Sequence, residues 1–193
     1  MAATRDIVGR PVVAVTGIGV VTSLGAGKDD NWEKLTAGKS GIRTITRFPT
    51  DGLKTKVAGT IDFVSGEPFG SVTLSERYAQ MAAEEAIGQA AIGPAGDFPG
   101  PLFLAVPPVE LEWPHRRALA QASGANDVVS YDDLLRAASA EKFAPFANRF
   151  LFGSVAENIA DRFGTKGSPI SLSTACASGV KADLADAHNA FFF

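Results

Sequence analysis

The strongest constraint in this sequence is an alternation. Short strand-like runs at 12–15, 102–106 and 170–174 are each closed by turn residues, and stretches of helical spacing lie between them. Runs of four or five residues are too short for a core helix and suit buried strands. Strands alternating with helices give an α/β chain around a largely buried sheet. The 20 Gly and 11 Pro supply the turns, and the 46% hydrophobic share supplies a core. A chain of 193 residues is one ordinary domain or a large piece of a bigger one.

The order of elements follows from local chemistry. Val12-Val13-Ala14-Val15 runs into Gly17 and Gly19, which reads as a buried strand ending in a tight turn. Asp29 or Asp30 can cap a helix through about Ala37, with Trp32 and Leu35 on its inner face. Residues 56–63 alternate as a strand does. Ser75 opens a helix through Ala91, with Tyr78, Met81, Ala82, Glu85 and Ala86 at helical spacing. Residues 93–101 form a Pro/Gly break. Residues 107–149 read as a surface excursion with a helical piece at 131–138. Residues 150–163 suit a helix with Phe152, Val155, Ile159 and Phe163 on one face, stopped by Gly164 and Gly167.

Several function classes fall away. A net charge of −3 gives no basic field for nucleic acid. One Cys and two His exclude an intramolecular disulfide and argue against a multi-cysteine or His-rich metal site. The apolar stretch at 11–24 is too short and too glycine-rich to span a bilayer. Residues 1–10 lack a signal-peptide pattern, and a lone Cys suits a reducing cytoplasm. The turn Gly17-Ile18-Gly19-Val20-Val21-Thr22 raises a nucleotide-binding α/β domain as an alternative. However, Thr22 stands where the dinucleotide fingerprint wants Gly or Ala, and no helix opens directly after it. Gly27-Lys28 is followed by Asp29, which departs from a Walker-type loop.

The most informative stretch is Ser171-Leu172-Ser173-Thr174-Ala175-Cys176-Ala177-Ser178-Gly179. A strand enters a sharp turn, a helix follows, and small residues flank the cysteine. That layout matches a nucleophile elbow, where small side chains permit a tight turn and let a substrate reach the sulfur. The helix N-terminus favours the thiolate, and the Cys176 N–H can face an oxyanion. The competing reading is a buried, inert cysteine.

These residues resemble the β-ketoacyl-[acyl-carrier-protein] synthases of the thiolase-like fold. Four stretches carry the resemblance: 12–25 as the opening strand and turn, 32–42 with Leu35, Gly38 and Gly41, 158–167, and the motif Ser173-Thr174-Ala175-Cys176-Ala177-Ser178-Gly179. It runs from about residue 11 to 179 and is poor over 95–140. It implies the N-terminal half of that fold, a mixed sheet layered with helices, with the C-terminal half missing. It also implies acyl transfer to Cys176, then decarboxylative condensation with malonyl-acyl-carrier protein in fatty acid or polyketide biosynthesis. No metal or organic cofactor is implied. The partner is an acyl-carrier protein with phosphopantetheine-linked acyl and malonyl groups, and members form homodimers. By loose alignment, Arg136 and Lys142 are candidate carrier-protein contacts.

The sequence departs from the family pattern after Cys176. The family's two histidines, lysine and flexible Gly/Phe loop follow the nucleophile, and His188 and His115 match neither histidine. The segment 180–193, with Lys181, Asp183 and Asp186 and the end Phe191-Phe192-Phe193, reads as an atypical tail on a truncated or frameshifted frame. The expectation is one ketoacyl synthase N-terminal domain over 1–193, inactive alone. A non-catalytic carrier-protein-binding or dimerisation partner is the other reading.

Overall fold

The computed structural model describes residues 5–10, 12, 14–64, 71–106, 113–124, 130–145 and 151–178. The tail expected at 180–193, including His188, lies outside them. The chain divides into two compact units. One comprises Ala14–Ser65 and Tyr78–Ile92; the other comprises Met1–Val13, Gly66–Arg77 and Gly93–Phe193.

The first unit is built on a glycine loop. Residues 14–27 run without a ladder partner apart from a single bridge between Val21 and Ala26. Of the strand expected at 12–15, the described residues Val12, Ala14 and Val15 join no ladder. Val12 and Val15 are exposed, and no strand lies beside them among the described residues, which a ladder needs. The helix α1 (Lys28–Thr36) follows the loop. The strands β1 (Ile42–Thr44) and β2 (Val57–Gly59) pair antiparallel, with Arg43 opposite Ala58. Both strands are largely exposed, unlike the buried sheet expected.

The helix α2 (Ser71–Ala90) brings Ala82, Ala83 and Ala86 to this unit, all buried. Their small side chains let the loop backbone lie directly on the helix. A Cβ at Gly17 would run into the carbonyl oxygen of Ala86, and one at Gly19 into that of Ala82. The side chains of α2 complete the fit. Gln89 accepts the Ile18 N–H at 2.7 Å. Glu85 accepts the Val20 N–H at 2.9 Å and the Lys28 N–H at 2.7 Å. The cap of α1 is therefore Glu85 from a distant segment, not Asp29 or Asp30, since Gly27 precedes the helix and has no side chain to offer.

The orientation of α1 also departs from expectation. Trp32 and Leu35 point to solvent, 67% and 59% exposed, and the buried residue is Asn31. Polar anchoring sets this. The Asn31 amide donates to the carbonyls of Gly25 (2.9 Å) and Gly27 (2.8 Å), and its oxygen accepts the Thr22 hydroxyl. Three satisfied hydrogen bonds fix a helix face as firmly as apolar contact does.

The second unit holds the main apolar core. The strands β3 (Phe103–Ala105) and β4 (Ile170–Leu172) pair in parallel, with Leu104 opposite Ser171. The Ile170 N–H donates to Leu102 O at 2.9 Å and the Val106 N–H to Leu172 O at 3.0 Å, which extends the pairing at both ends. Parallel neighbours need a long crossover. The helices α3 (Trp113–Ala122), α4 (Tyr131–Ala138) and α5 (Ser154–Phe163), with a 3-10 turn at Glu141–Phe143, lie along it. The helix at 131–138 stands where the sequence puts it, while α3 occupies part of the expected surface excursion.

Leu102, Leu104 and Val106 are buried, as are Val155, Ala156, Ile159 and Ala160 of α5. Val155 and Ile159 stand four apart on one helical stripe. Phe152 lies in the turn before α5, partly exposed, so the helix is shorter than the pattern suggested. Gly164 ends α5 in the left-handed conformation, at φ 65°.

Candidate functional site

Cys176 stands four residues past the end of β4, and the path to it is short and well defined. Ala175 takes a positive φ of 51°, one of two non-glycine residues to do so among those described. This left-handed step is sparsely populated for a residue with a Cβ, and it reverses the chain after the strand. Cys176 follows it, exposed and with a free thiol. Ala177 donates its N–H to Thr174 O at 3.3 Å and Ser178 donates its N–H to Ala175 O at 3.1 Å. Ser178 is helical, and the helix expected beyond it lies outside the described residues.

The turn is also closed by a side chain. The Thr174 N–H donates to the Ser178 hydroxyl oxygen at 2.7 Å, and that hydroxyl donates to Ala175 O at 2.7 Å. In the sequence Ser178 stands only as one of the small residues that flank Cys176. A Ser two residues after a nucleophile candidate, at a turn-to-helix step, was the available signal.

The chemistry open to this arrangement is that of an accessible thiol on a turn that follows β4, a strand that is half-buried at most, with Ile170 exposed where the sequence suggested a buried run. β4 is half-buried at Ser171 and Leu172 and pairs with β3, whose Leu104 is buried, so the turn grows from a paired strand while Cys176 itself is exposed. A soft nucleophile in that position can take an acyl group from a thioester when it is ionised.

Arg136 and Lys142 sit apart from this turn in sequence, on α4 and on the 3-10 turn. Arg136 is exposed and pairs with Asp133 at 3.0 Å. The Lys142 ammonium stands 4.9 Å from the centre of the Phe143 ring. Asp132 and Asp133 in the first turn of α4 and Glu141 beside Lys142 counter these two cations, so the segment carries no net positive charge. His115 lies on α3, half-buried.

The glycine turn offers no phosphate cradle. Its N–H groups at Ile18 and Val20 are taken by Gln89 and Glu85, and Gly17 and Gly19 face the backbone of α2. A carboxylate at that place repels an anion. Close packing, rather than nucleotide binding, explains these glycines.

Residues 10–95 match the family model of the beta-ketoacyl synthase N-terminal domain. A Streptomyces cyaneus protein assigned as polyketide beta-ketoacyl synthase 1 is 31% identical over 188 residues, covering 88% of this chain and 40% of that protein. The chain is similar to the N-terminal side of the β-ketoacyl synthases. The 3-oxoacyl-[acyl-carrier-protein] synthase 1 of Haemophilus influenzae is 25% identical over 173 residues, covering 85% of this chain and 39% of that protein.

The fold comparison agrees. A type II polyketide ketosynthase, solved with its acyl-carrier protein and bound to the hexaketide, superposes with a TM-score of 0.59 at 24% identity, over 86% of this chain and 39% of that one. The ishigamide ketosynthase/chain length factor superposes with a TM-score of 0.57 at 26% identity, over 86% of this chain and 40% of that one. These likenesses establish the α/β, thiolase-like fold of the ketosynthase N-terminal half. The chain spans about two fifths of the length of these relatives. The family-model match stops at residue 95, so it does not reach Cys176. No described helix is long and apolar enough to cross a membrane.

Proposed function

We propose that Cys176 is an acyl acceptor of ketoacyl synthase type. The observation that carries this is the exposed thiol on the turn after β4, inside the motif Ser173-Thr174-Ala175-Cys176-Ala177-Ser178-Gly179, in a chain of ketoacyl synthase kinship. The donor is an acyl thioester on the phosphopantetheine arm of an acyl-carrier protein. The Cys176 thiolate attacks the thioester carbonyl. The bond between the acyl carbon and the phosphopantetheine sulfur breaks, and the departing thiolate takes up a proton equal to the one Cys176 lost.

In the parent reaction, malonyl-carrier protein then loses CO2, and the resulting carbanion attacks the acyl-enzyme and frees Cys176. That step builds negative charge on a thioester oxygen, and hydrogen-bond donors aimed at such an oxygen contribute factors of ~10²–10³ each. The two histidines of this chain, His115 and His188, do not fall in the family's histidine motifs. The 193-residue chain by itself is therefore acylated without condensing. Carrier protein approaches the region of Arg136 and Lys142, two copies of the chain form the family's homodimer, and the compartment is the cytoplasm, which keeps the thiol reduced.

The test is intact-mass analysis of the purified chain after incubation with an acyl-carrier protein. One acyl adduct on the parent and none on Cys176→Ala supports the reading. No adduct on the parent, or an adduct that persists in Cys176→Ala, overturns it. Adding malonyl-carrier protein should yield no β-ketoacyl product, and product at the rate of a complete synthase would refute the claim that condensation needs more than this chain.

A further inference from the structure

The cysteine turn lacks a bulky side chain that could hold its shape. Ala175, Cys176 and Ala177 are small and exposed, and Ala175 occupies a left-handed conformation that is unfavourable for a residue with a Cβ. Something must over-determine such a turn for it to persist. Two main-chain bonds contribute, but one of them is long, at 3.3 Å. The shortest links across the turn both belong to one hydroxyl. Ser178 accepts the Thr174 N–H and donates to Ala175 O, each at 2.7 Å, so its single proton and one lone pair tie the residue two places after Cys176 to two groups that precede it.

We propose that Ser178 is a positioning residue for the thiol. It holds Ala175 in its left-handed step, and that step fixes the direction in which Cys176 leaves the backbone. The proposal rests on the reading of Cys176 as the acyl acceptor for its purpose, but the clamp itself is a separate physical claim. A side chain that only filled space would be replaceable by Ala. A side chain that works through its hydroxyl would be replaceable by Thr, which keeps the oxygen at the same position.

The magnitude is modest because these bonds are exposed. When an exposed bond is lost, water replaces part of what it supplied. With 1.36 kcal/mol per factor of ten, the expected effect is a roughly three- to tenfold slowing of thiol chemistry.

The experiment uses the full 193-residue chain as parent, Ser178→Ala and Ser178→Thr. Two readouts are taken. The first is amide hydrogen exchange at Thr174. The second is the rate of Cys176 alkylation by iodoacetamide across pH 6 to 10, which separates the thiol's titration from its limiting rate. The expected result is faster Thr174 exchange and an altered alkylation profile in Ser178→Ala, both returning toward the parent in Ser178→Thr, with the melting temperature of all three within a few degrees. Thr174 exchange and alkylation in Ser178→Ala that match the parent would overturn the proposal. So would a Ser178→Thr variant as altered as Ser178→Ala in both readouts. Neither readout requires acyl transfer, so a parent that fails to accept an acyl group sinks the proposed function and leaves the clamp to be judged on exchange and alkylation.

Discussion

Glu85→Ala is the substitution that most directly probes how the glycine loop is held. The Glu85 carboxylate accepts two main-chain N–H groups, Val20 in the middle of the loop at 2.9 Å and Lys28 just after it at 2.7 Å. Hydrogen bonds to a charged acceptor contribute about 1.5–3 kcal/mol each when well shielded. Glu85 is half-buried, so water recovers part of that, and the expected loss is about 2–4 kcal/mol for the pair. The loss has a second component. Lys28 is the first residue of α1, and removing its acceptor leaves the helix without its cap. For a chain of this size, each kcal/mol lowers the melting temperature by about 2–4 °C, so the drop should be roughly 5–15 °C. Thermal melting by circular dichroism reads the total, and amide exchange at Val20 and Lys28 reads the site. Glu33→Ala, exposed on α1, is the control and should change stability by less than about 0.5 kcal/mol. A Glu85→Ala drop below about 1 kcal/mol, or Val20 and Lys28 amides that exchange no faster, would refute the reasoning.

Gly19→Ala should be destabilising by about 3 kcal/mol, at the upper end for an added methyl, because the Cβ meets the rigid carbonyl of Ala82 rather than a movable side chain; urea unfolding measures it. Gln89→Ala removes one neutral, exposed acceptor from Ile18 and should cost only about 0.5–1.5 kcal/mol in the same assay. Charge reversal at Arg136 and Lys142 together should weaken carrier-protein association more at low salt than at high salt, as measured by titration at two ionic strengths; an unchanged affinity at low salt removes these residues from the interface. Asp6 accepts the N–H groups of Arg10 and Val8 and pairs with the Arg10 guanidinium, which holds its carboxyl below the ordinary value near 3.8 against the opposing effect of desolvation. A depressed carboxyl stabilises the 6–10 turn above its unfolded value and loses that contribution as pH falls through its folded value. NMR titration of Asp6 should therefore give a midpoint below that of Asp in a short peptide, and an unshifted midpoint would count against the turn.

Much of the cysteine unit was legible in the residues. The apolar run at 102–106 is long enough to be buried and short enough to be a strand, and β3 forms inside it. The helical piece read at 131–138 forms as α4, and the structure adds its cap, with the Ser130 oxygen accepting the Asp133 N–H. Val155 and Ile159 lie on the face their spacing gives them. The glycine unit was read less well. Trp32 and Leu35 have the spacing of an inner face, but a helical pattern says only that two residues share a side, and Asn31 decided which side faces in. The run at 12–15 has strand composition, yet a strand exists only where a neighbour completes its ladder.

The sequence by itself determined the alternation of elements, the sharp turn at the small residues around Cys176 and the kinship with ketoacyl synthases, because these depend on side-chain size, local dihedral preference and short-range spacing. Only the tertiary structure decided what Gly17 and Gly19 are for. A Gly-x-Gly after an apolar run is the same string whether it faces a phosphate or a helix, and the difference lies in Ala82, Glu85, Ala86 and Gln89, more than sixty residues away in the chain. The same holds for the cap at Glu85, 57 residues from Lys28. A hydrogen bond depends on where two polar groups meet in space, and the chain must fold before it is known which groups meet.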